Sequence, residues 1–328
     1  MSVHFRWEAH QFDGLLASSH CDDASPYILR YLEKRGPILE AGCGLGRFVI
    51  FLEQQGFEDV SGIDTSPKAV GIVKRIAPNV NVLCGDVSSL PFEDSSIRGI
   101  VSLGVVEHFE EGPHTALQEF RRVMMPGATA IITVPYLNLV RRFKHAAHIY
   151  EMGGRIKAVR ASDSAIESRY DVVRRSIVHL GNDGLQREHN PPSQFTRWPA
   201  NGPFFEYRFT TRQLEKELRA VGLAITEVVP IDTISGLFYE FGASLVRTSA
   251  HGGRALTRVG HVLQRIFSRA PWIHAHMLLF VVHKDRRPSS VASSSSQEIY
   301  AQFSIEFLGL NDHPPLRNSD LSYESESP

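Results

Sequence analysis

The chain has 328 residues, of which 42% are hydrophobic and 22% are charged, and its formal net charge is −1. This composition predicts a globular protein with a substantial core, and the balanced charge lacks the basic field that is typical of nucleic-acid-binding domains. Its three scattered cysteines exclude a disulfide framework and a C-x-x-C zinc site, and they favour a cytoplasmic location. No apolar run approaches about 18 residues, so we expect a soluble protein or one at most peripheral to a membrane.

Residues 1–36 precede the first predicted strand. Apolar residues in the segment 26–32 recur as they do on a helix, so we expect a helical leader that caps the mouth of a binding pocket. Four aromatic side chains of the leader either close this pocket or pack against the sheet, and packing is the favoured interpretation. They are Phe5, Trp7, Phe12 and Tyr27.

A glycine-dense turn follows the first predicted strand. Ile38 and Leu39 supply the buried strand, an acid ends it, and a helix begins at Arg47. The glycines alternate as G-x-G-x-G, whereas a dinucleotide-binding turn prefers G-x-G-x-x-G, and an acid beside the turn would repel a phosphate and attract a cation. The turn therefore predicts a loop for a cationic, nucleotide-like cofactor, with an ordinary tight turn as the alternative. Its candidate binding residues are Glu40, Gly42, Cys43, Gly44 and Gly46.

A second strand is predicted over residues 60–64, and it also ends in an acid. Ser66 can cap the helix that Pro67 opens, which places Asp64 and Thr65 at the carboxyl end of the strand. An acid about 20 residues past a nucleotide-binding turn accepts hydrogen bonds from ribose hydroxyls. We therefore interpret Asp64 as a ribose-binding residue, the alternative being a simple turn residue.

Two further strands are predicted over residues 80–84 and 97–103. Asp86 and Val87 follow the third strand, where the acid can accept from an adenine amino group while the valine packs on the ring. The fourth strand continues into the sequence LGVVEHF, which places His108 near its end. Polar groups are thus expected at four strand ends, all on one edge of the sheet.

The alternation of strands and helices is interrupted after the fifth strand. Pro126-Gly127 is expected to end a helix and to start the strand over residues 129–134. Residues 136–204 form an insertion that we expect to act as a lid, and its early part is locally basic. These cations are expected either to form a solvated helix face or to recognise an anionic group of the substrate. A helix capped by Thr210 or Thr211 and a strand from Leu223 then resume the pattern.

A second elaboration covers residues 231–272, before a last strand predicted at 277–282. No Asp or Glu occurs from Phe241 to Lys284, and arginines recur at helical spacing opposite apolar residues over 254–269. Such a helix either docks on an anionic membrane or buries its apolar stripe in the parent domain, and burial is the favoured interpretation. The serine-rich tail over 286–328 is expected to be largely disordered.

Taken together, these motifs resemble those of class I S-adenosylmethionine-dependent methyltransferases of the small-molecule type. The resemblance is carried by ILEAGCGLGR, GIDTSP, GDVSSLPF, SLGVVEHF and FRRVMMPGATAIITVP, and it covers residues 25–135 and 205–230. It implies a Rossmann-like, seven-stranded and mostly parallel sheet in a domain over 37–285, with helices on both faces. It also implies an antiparallel last strand and helical insertions that serve as a lid.

The resemblance also implies S-adenosylmethionine as the cofactor. Glu40 and the glycine turn would then surround the methionine part, Asp64 the ribose, and Asp86 with Val87 the adenine. The floor beneath the methyl group would be lined by Leu103, Gly104 and Val105.

The expected reaction is methylation of a small-molecule or a lipid- or sugar-linked acceptor, with an oxygen atom favoured. The mechanism is an in-line displacement driven mainly by positioning. An oxygen acceptor of high pKa also needs a base, for which His108 is the leading candidate and Glu107, His145 and His148 are rivals. Methylation of RNA or protein is the alternative activity, and a non-catalytic cofactor-binding protein is the alternative class.

Of the expected partners, the acceptor is the main one. Nucleic acid is disfavoured by the charge balance, and membrane contact through residues 254–269 remains open. No metal is expected, because neither His145 with His148 nor His274 with His276 has an acidic or cysteine partner at metal-binding spacing. The pattern does not indicate an oligomeric state.

Overall fold

A computed structural model of the chain describes residues 7–146, 149–152, 155–158, 177–180, 186–189, 194–197, 204–242, 244–248 and 254–285. The chain divides into two units, 1–286 and 287–328, and all described residues lie in the first. The tail predicted over 286–328 lies outside the described residues. Most of the predicted lid between 147 and 203 lies outside them as well.

Fifteen strands occur among the described residues. They are β1 (Pro37–Ala41), β2 (Asp59–Asp64), β3 (Val82–Cys84), β4 (Ile97–Leu103), β5 (Met124–Pro135), β6 (Ile149–Met152), β7 (Arg155–Ala158), β8 (Ile177–Leu180), β9 (Gln186–His189), β10 (Gln194–Arg197), β11 (Phe204–Arg208), β12 (Leu223–Ile231), β13 (Val246–Thr248), β14 (Arg254–Leu256) and β15 (Met277–Lys284).

Nine α-helices occur in the same part of the chain. They are α1 (Phe12–Ser19), α2 (Ser25–Tyr31), α3 (Arg47–Gln54), α4 (Pro67–Ile76), α5 (His114–Val123), α6 (Leu139–Ala146), α7 (Thr211–Ala220), α8 (Thr233–Phe241) and α9 (Arg258–Phe267). The predicted caps are present, because Ser66 accepts a hydrogen bond from the backbone of Ala69 in α4. Thr210 forms a reciprocal capping box with Gln213 at the start of α7.

The central sheet contains seven strands in the order β12-β15-β5-β4-β1-β2-β3. β15 is antiparallel to both of its neighbours, and the other adjacent strands pair in parallel. This arrangement confirms the predicted sheet with its antiparallel last strand. Since the strand order reverses at β1, a crevice opens at the carboxyl ends of β1 and β4, where this type of sheet binds ligands.

Helices cover both faces of the sheet because its strands alternate their side chains between two apolar clusters. In β15, Leu278 and Phe280 belong to one cluster, together with Phe120 of α5 and residues of α7. Leu279 and Val281 belong to the other cluster, which includes residues of α1 to α4. The strands are therefore apolar on both sides, as expected for a mostly parallel sheet between helical layers.

The transition from α5 to β5 differs from the sequence prediction. The helix ends at Val123 and the strand begins at Met124, so Pro126-Gly127 lies within the strand and does not end the helix. Gly127 has a φ of +82°, and the register between β4 and β5 shifts next to this segment. This irregularity lets the strand accommodate Pro126. The helix has already ended by then, because the backbone of Met124 is extended.

The described part of the predicted lid contains α6, the β6–β7 and β8–β9 hairpins, and β10 paired with β11. A buried ion pair joins α6 to α8, with Arg141 Nε 2.5 Å from Glu240 Oε1. Arg141 is 5% exposed and is paired with Glu240. It therefore neither lies on a solvated helix face nor recognises an anionic group of the substrate, the two roles expected for the basic residues of the lid. None of the described helices is long and apolar enough to cross a membrane.

Candidate functional site

A cavity of about 760 Å³ opens at the carboxyl edge of the sheet, where the segments after β1, β2, β3 and β4 meet. This volume is typical of small-molecule and cofactor sites, which span about 300–1,000 Å³. Most of the predicted site residues line it, namely Glu40, Gly42, Cys43, Gly44, Asp64, Thr65, Asp86, Val87, Leu103, Gly104, Val105 and His108. Gly46 is not among the lining residues. It precedes α3 with a φ of +70°, and its amide donates to the carbonyl of Cys43 across the turn.

The glycine turn is shaped by close contacts with other parts of the protein. A Cβ atom on Gly42 would lie 2.4 Å from Cγ2 of Val105, and the φ of Gly42 is +83°. A Cβ atom on Gly44 would lie 2.7 Å from the ring of Trp7. Side chains at these positions would therefore displace the segment after β4 and the leader, in addition to straining the backbone.

Glu40 lies at the base of the cavity and is 5% exposed. Its Oε2 accepts a hydrogen bond of 2.8 Å from the backbone amide of Val49 in the first turn of α3. Burial nevertheless raises the pKa of Glu40 to about 8, and the nearby Arg47 and the amide of Val49 offset this only in part. Glu40 is therefore mostly protonated at neutral pH, and a cation bound beside it would favour its ionised form.

Asp64 connects the first two loops of the site. Its Oδ2 accepts from the amide of Gly44 and its Oδ1 from the amide of Ser66, both at 2.8 Å. Each carboxylate oxygen keeps a further lone pair, so Asp64 can fix the glycine turn and still accept from a ligand hydroxyl. Sequence reasoning anticipated a ligand for Asp64 but did not anticipate this bond to the turn.

Asp86 and Val87 form the third side of the cavity. Asp86 is exposed, and its Oδ1 accepts from both the amide and the hydroxyl of Ser88. Val87 is buried and belongs to the apolar cluster beneath the cavity. The pair thus presents a carboxylate and an apolar surface side by side, which suits a heterocyclic base with an amino group.

His108 occupies the fourth side of the cavity, after Leu103, Gly104 and Val105. Its Nδ1 lies 2.7 Å from the carbonyl oxygen of Phe205 in β11. A carbonyl can only accept, so this contact favours the tautomer with the proton on Nδ1, while a backbone hydrogen bond with Gly104 also favours the protonated ring. Burial lowers the pKa of His108 below its ordinary value, which keeps the ring neutral near pH 7.

The neighbouring Glu107 is 2% exposed. Its Oε1 lies 3.9 Å from Nε2 of His108, while its Oε2 has no hydrogen-bond partner among the described residues. Burial raises the pKa of Glu107 well above its ordinary range, which favours the protonated carboxyl group. A proton taken up by His108 would consequently lie close to a group that can ionise.

Several features of the site were missing from the sequence interpretation. The leader is tied to the site by Arg47, whose Nη2 is 3.0 Å from Asp22, and by an ion pair of 2.5 Å between Lys68 and Glu8. The segment from Phe109 to Gly112 lines the cavity next to His108. The sequence could have indicated this role, because the segment directly follows the motif that contains His108. Nothing local in sequence indicated the contact of His108 with Phe205, which lies 97 residues away.

Among the described residues, no group of three or more His, Cys, Asp or Glu side chains could hold a metal ion. The side chains of His145 and His148, proposed above as rival bases, lie outside the described residues. His274 is 1% exposed, and its ring is tilted against that of Phe267, which makes it part of the packing beneath α9.

Comparison with known proteins gives a partial match. Residues 39–132 match the family described as a methyltransferase domain. Demethylmenaquinone methyltransferase of Chlorobaculum tepidum is 32% identical over 106 residues, which cover 32% of this chain and 43% of the relative. A probable tRNA methyltransferase 9B of Bos taurus is 29% identical over 116 residues, which cover 34% of this chain and 24% of the relative.

A solved structure, described as an S-adenosylmethionine-dependent methyltransferase from Mesorhizobium loti, aligns over 80% of this chain and 97% of its own. Its identity is 14% and its TM-score is 0.48. The chain spans less than half the length of the two curated relatives. The family match extends from β1 to β5 and contains most of the residues that line the cavity.

Proposed function

We propose that this chain, which carries a class I S-adenosylmethionine-dependent methyltransferase domain, is an active enzyme that methylates a small-molecule or a lipid- or sugar-linked acceptor. The favoured methyl-accepting atom is an oxygen. One observation carries most of the proposal: four successive strand ends converge on a single cavity that contains both the glycine turn and the partly buried His108.

The charges of the cavity fit S-adenosylmethionine, the cofactor of this domain. Acids outnumber cations among the lining residues, with Asp64, Asp86, Glu110 and Glu111 against Arg47, and a bound cation would also favour ionisation of Glu40. That arginine is already paired with an acid of the leader. Such a cavity favours a ligand with positive charge, such as a sulfonium and an ammonium, over a ligand that carries phosphates.

We infer the following roles for the lining residues. Asp64 accepts from ribose hydroxyls with the lone pairs that the loop amides leave free, and Asp86 with Val87 receives the adenine. Glu40 and the turn at Gly42 surround the methionine part. When bound, S-adenosylmethionine supplies an electrophilic methyl group.

His108 is the proposed general base. The carbonyl of Phe205 favours the tautomer with the proton on Nδ1, so Nε2 is the nitrogen that would accept the proton of an acceptor hydroxyl. The cavity next to it is lined by Leu103, Val105 and Phe109, which help to keep water away from the reacting groups. Ionisation of Glu107 at 3.9 Å would stabilise the protonated ring.

The alternative acceptor class is RNA or protein. One relative is named for tRNA and another for demethylmenaquinone, so the shared domain alone does not select an acceptor. The near-neutral charge of the chain favours a small acceptor, because RNA-binding proteins are generally basic.

The test is to incubate the full chain with methyl-labelled S-adenosylmethionine and with separate small-molecule, lipid, RNA and protein fractions. Label in the small-molecule or lipid fraction supports the proposal. Label only in RNA or protein supports the alternative acceptors, and binding of cofactor without labelling of any fraction supports a non-catalytic protein. His108→Gln should retain cofactor binding and lose turnover, whereas loss of binding would assign His108 to the cofactor pocket.

A further inference from the structure

The outer side of α9 exposes an apolar stripe. Val259, Val262 and Ile266 follow one another at helical spacing, and they are 58%, 59% and 63% exposed. The adjacent side of the helix carries Leu263 and Phe267, which pack against the small cluster around α8 and β13. The sequence prediction that the whole stripe is buried is thus only half correct, because Val259 and Ile266 remain outside the packed face.

The orientation of this helix is fixed by backbone packing. A Cβ atom on Gly260 would lie 2.1 Å from the carbonyl oxygen of Leu245, so the helix approaches its neighbour more closely than any other residue would allow. At its start, Thr257 caps α9 by accepting from the amide of Gly260 and donates to the carbonyl of Ser244. Because α9 cannot rotate without losing these contacts, the exposed stripe is a property of the fold.

Positive charge borders the stripe. Arg258 and Arg265 are exposed on the side of α9 next to the apolar stripe, seven residues apart, and Arg269 is exposed in the turn two residues past the end of the helix. The sequence contains no Asp or Glu between Phe241 and Lys284. The surface around α9 is therefore apolar along one line and basic along the next, without a neutralising acid from this segment.

Other apolar side chains are exposed on neighbouring elements. The short 3₁₀ helix that precedes β15 carries Trp272, which is 38% exposed, and this helix contacts α6. In α6, Leu139 is 50% and Phe143 is 67% exposed. Both elements adjoin the carboxyl edge of the sheet, because α6 follows β5 and the 3₁₀ helix leads into the antiparallel β15. The candidate site opens at the same edge.

We infer that α9 is an interfacial helix by which the protein docks on an anionic lipid surface. An apolar stripe beside a row of arginines is the pattern of helices that lie in the membrane interface, with the stripe among the acyl chains and the cations at the headgroups. A nucleic-acid backbone would match the arginines, but it offers nothing to three exposed aliphatic side chains. The inference goes beyond methyl transfer and does not depend on it.

The test is co-sedimentation of the full chain with vesicles. We expect binding to vesicles of equal parts phosphatidylcholine and phosphatidylglycerol, weaker binding as salt is raised, and none to phosphatidylcholine alone. The double variant Val262→Asp with Ile266→Asp should lose at least tenfold in vesicle affinity. Each of Arg258→Gln, Arg265→Gln and Arg269→Gln should lose about fivefold, since a basic residue at such a surface contributes about 1 kcal/mol.

The matched control is Ile76→Asp, which replaces an exposed apolar residue, 47% exposed, at the end of α4. This variant should bind vesicles as the wild type does, and circular dichroism should show that all variants remain folded. The inference is overturned if the wild type does not bind anionic vesicles, or if the double variant binds them as tightly as Ile76→Asp does. It is also overturned if the α9 stripe instead mediates a dimer. Sedimentation velocity would then show a self-association of the wild type that the double variant abolishes, and the wild type would not bind vesicles.

Discussion

Glu40 should make the stability of the free protein depend on pH. Its carboxyl group is buried at the base of the cavity and has a pKa of about 8, against an ordinary value of 4.5 in the unfolded chain. A group whose pKa is raised on folding contributes stability that is fully present below the unfolded pKa and is lost as pH rises through the folded pKa. The protein should therefore lose stability between about pH 4.5 and pH 8 as the unfolded state releases a proton that the folded state retains.

The magnitude follows from the two pKa values of Glu40. At about 1.4 kcal/mol per pH unit, the interval from 4.5 to about 8 corresponds to roughly 5 kcal/mol. Glu40→Gln removes the titration, while its amide oxygen can still accept from Val49, so the variant should lack this part of the pH dependence. Urea unfolding of both proteins without cofactor, at several pH values from about 5 to 8, should show the variant gaining up to about 4 kcal/mol over the wild type.

Comparing the two proteins isolates Glu40 from other titrating groups. Glu107 is also buried with a raised pKa and contributes in the same direction, but it is present in both proteins and cancels. The urea slopes of the two proteins should agree, which shows that the substitution leaves the surface exposed on unfolding unchanged. Parallel stability curves for wild type and Glu40→Gln across this range would refute the reasoning.

Two further predictions concern packing and charge. Gly42→Ala should destabilise the protein by about 1–3 kcal/mol through the contact with Val105 and the positive φ. Gly71→Ala, in open space on α4, should stabilise it by up to about 1 kcal/mol, and thermal unfolding that gives both variants the same sign would contradict the assigned contact. Glu240→Ala should cost about 3–5 kcal/mol because it leaves Arg141 buried without its partner. Replacing both residues, as Arg141→Met with Glu240→Leu, should recover most of that loss in urea unfolding, and an equal loss in the double variant would contradict the ion-pair account.

The fold was predictable from sequence because its signals are local. Six of the seven sheet strands coincide with apolar runs that end in or are followed by a glycine or an acid, and the caps at Ser66 and Thr210 have the expected side chains. β4 has the predicted bounds, and the other sheet strands differ by a few residues. The segment at Pro126-Gly127 was misread because those residues normally end a helix, whereas here a shift in strand register accommodates them.

The parts of the site that sequence could not supply depend on contacts between distant residues. Asp64 was expected to meet a ligand, but its bond to the amide of Gly44 requires two loops to be brought together. The tautomer of His108 depends on the carbonyl of Phe205 in a different element. The half-exposed stripe of α9 depends on the close approach of Gly260 to Leu245, which helical periodicity alone does not encode.

The central claim is that the cavity binds S-adenosylmethionine through Asp64, and calorimetric titration of the full chain with the cofactor and with its demethylated product tests it most directly. Asp64→Asn should bind about 1–3 kcal/mol more weakly than the wild type, since it disturbs both the loop amides and the ligand hydroxyls. Asp59→Asn, exposed at the opposite end of the same strand, should bind as the wild type does. No binding by the folded wild type, or equal affinity of Asp64→Asn and Asp59→Asn, would contradict the account.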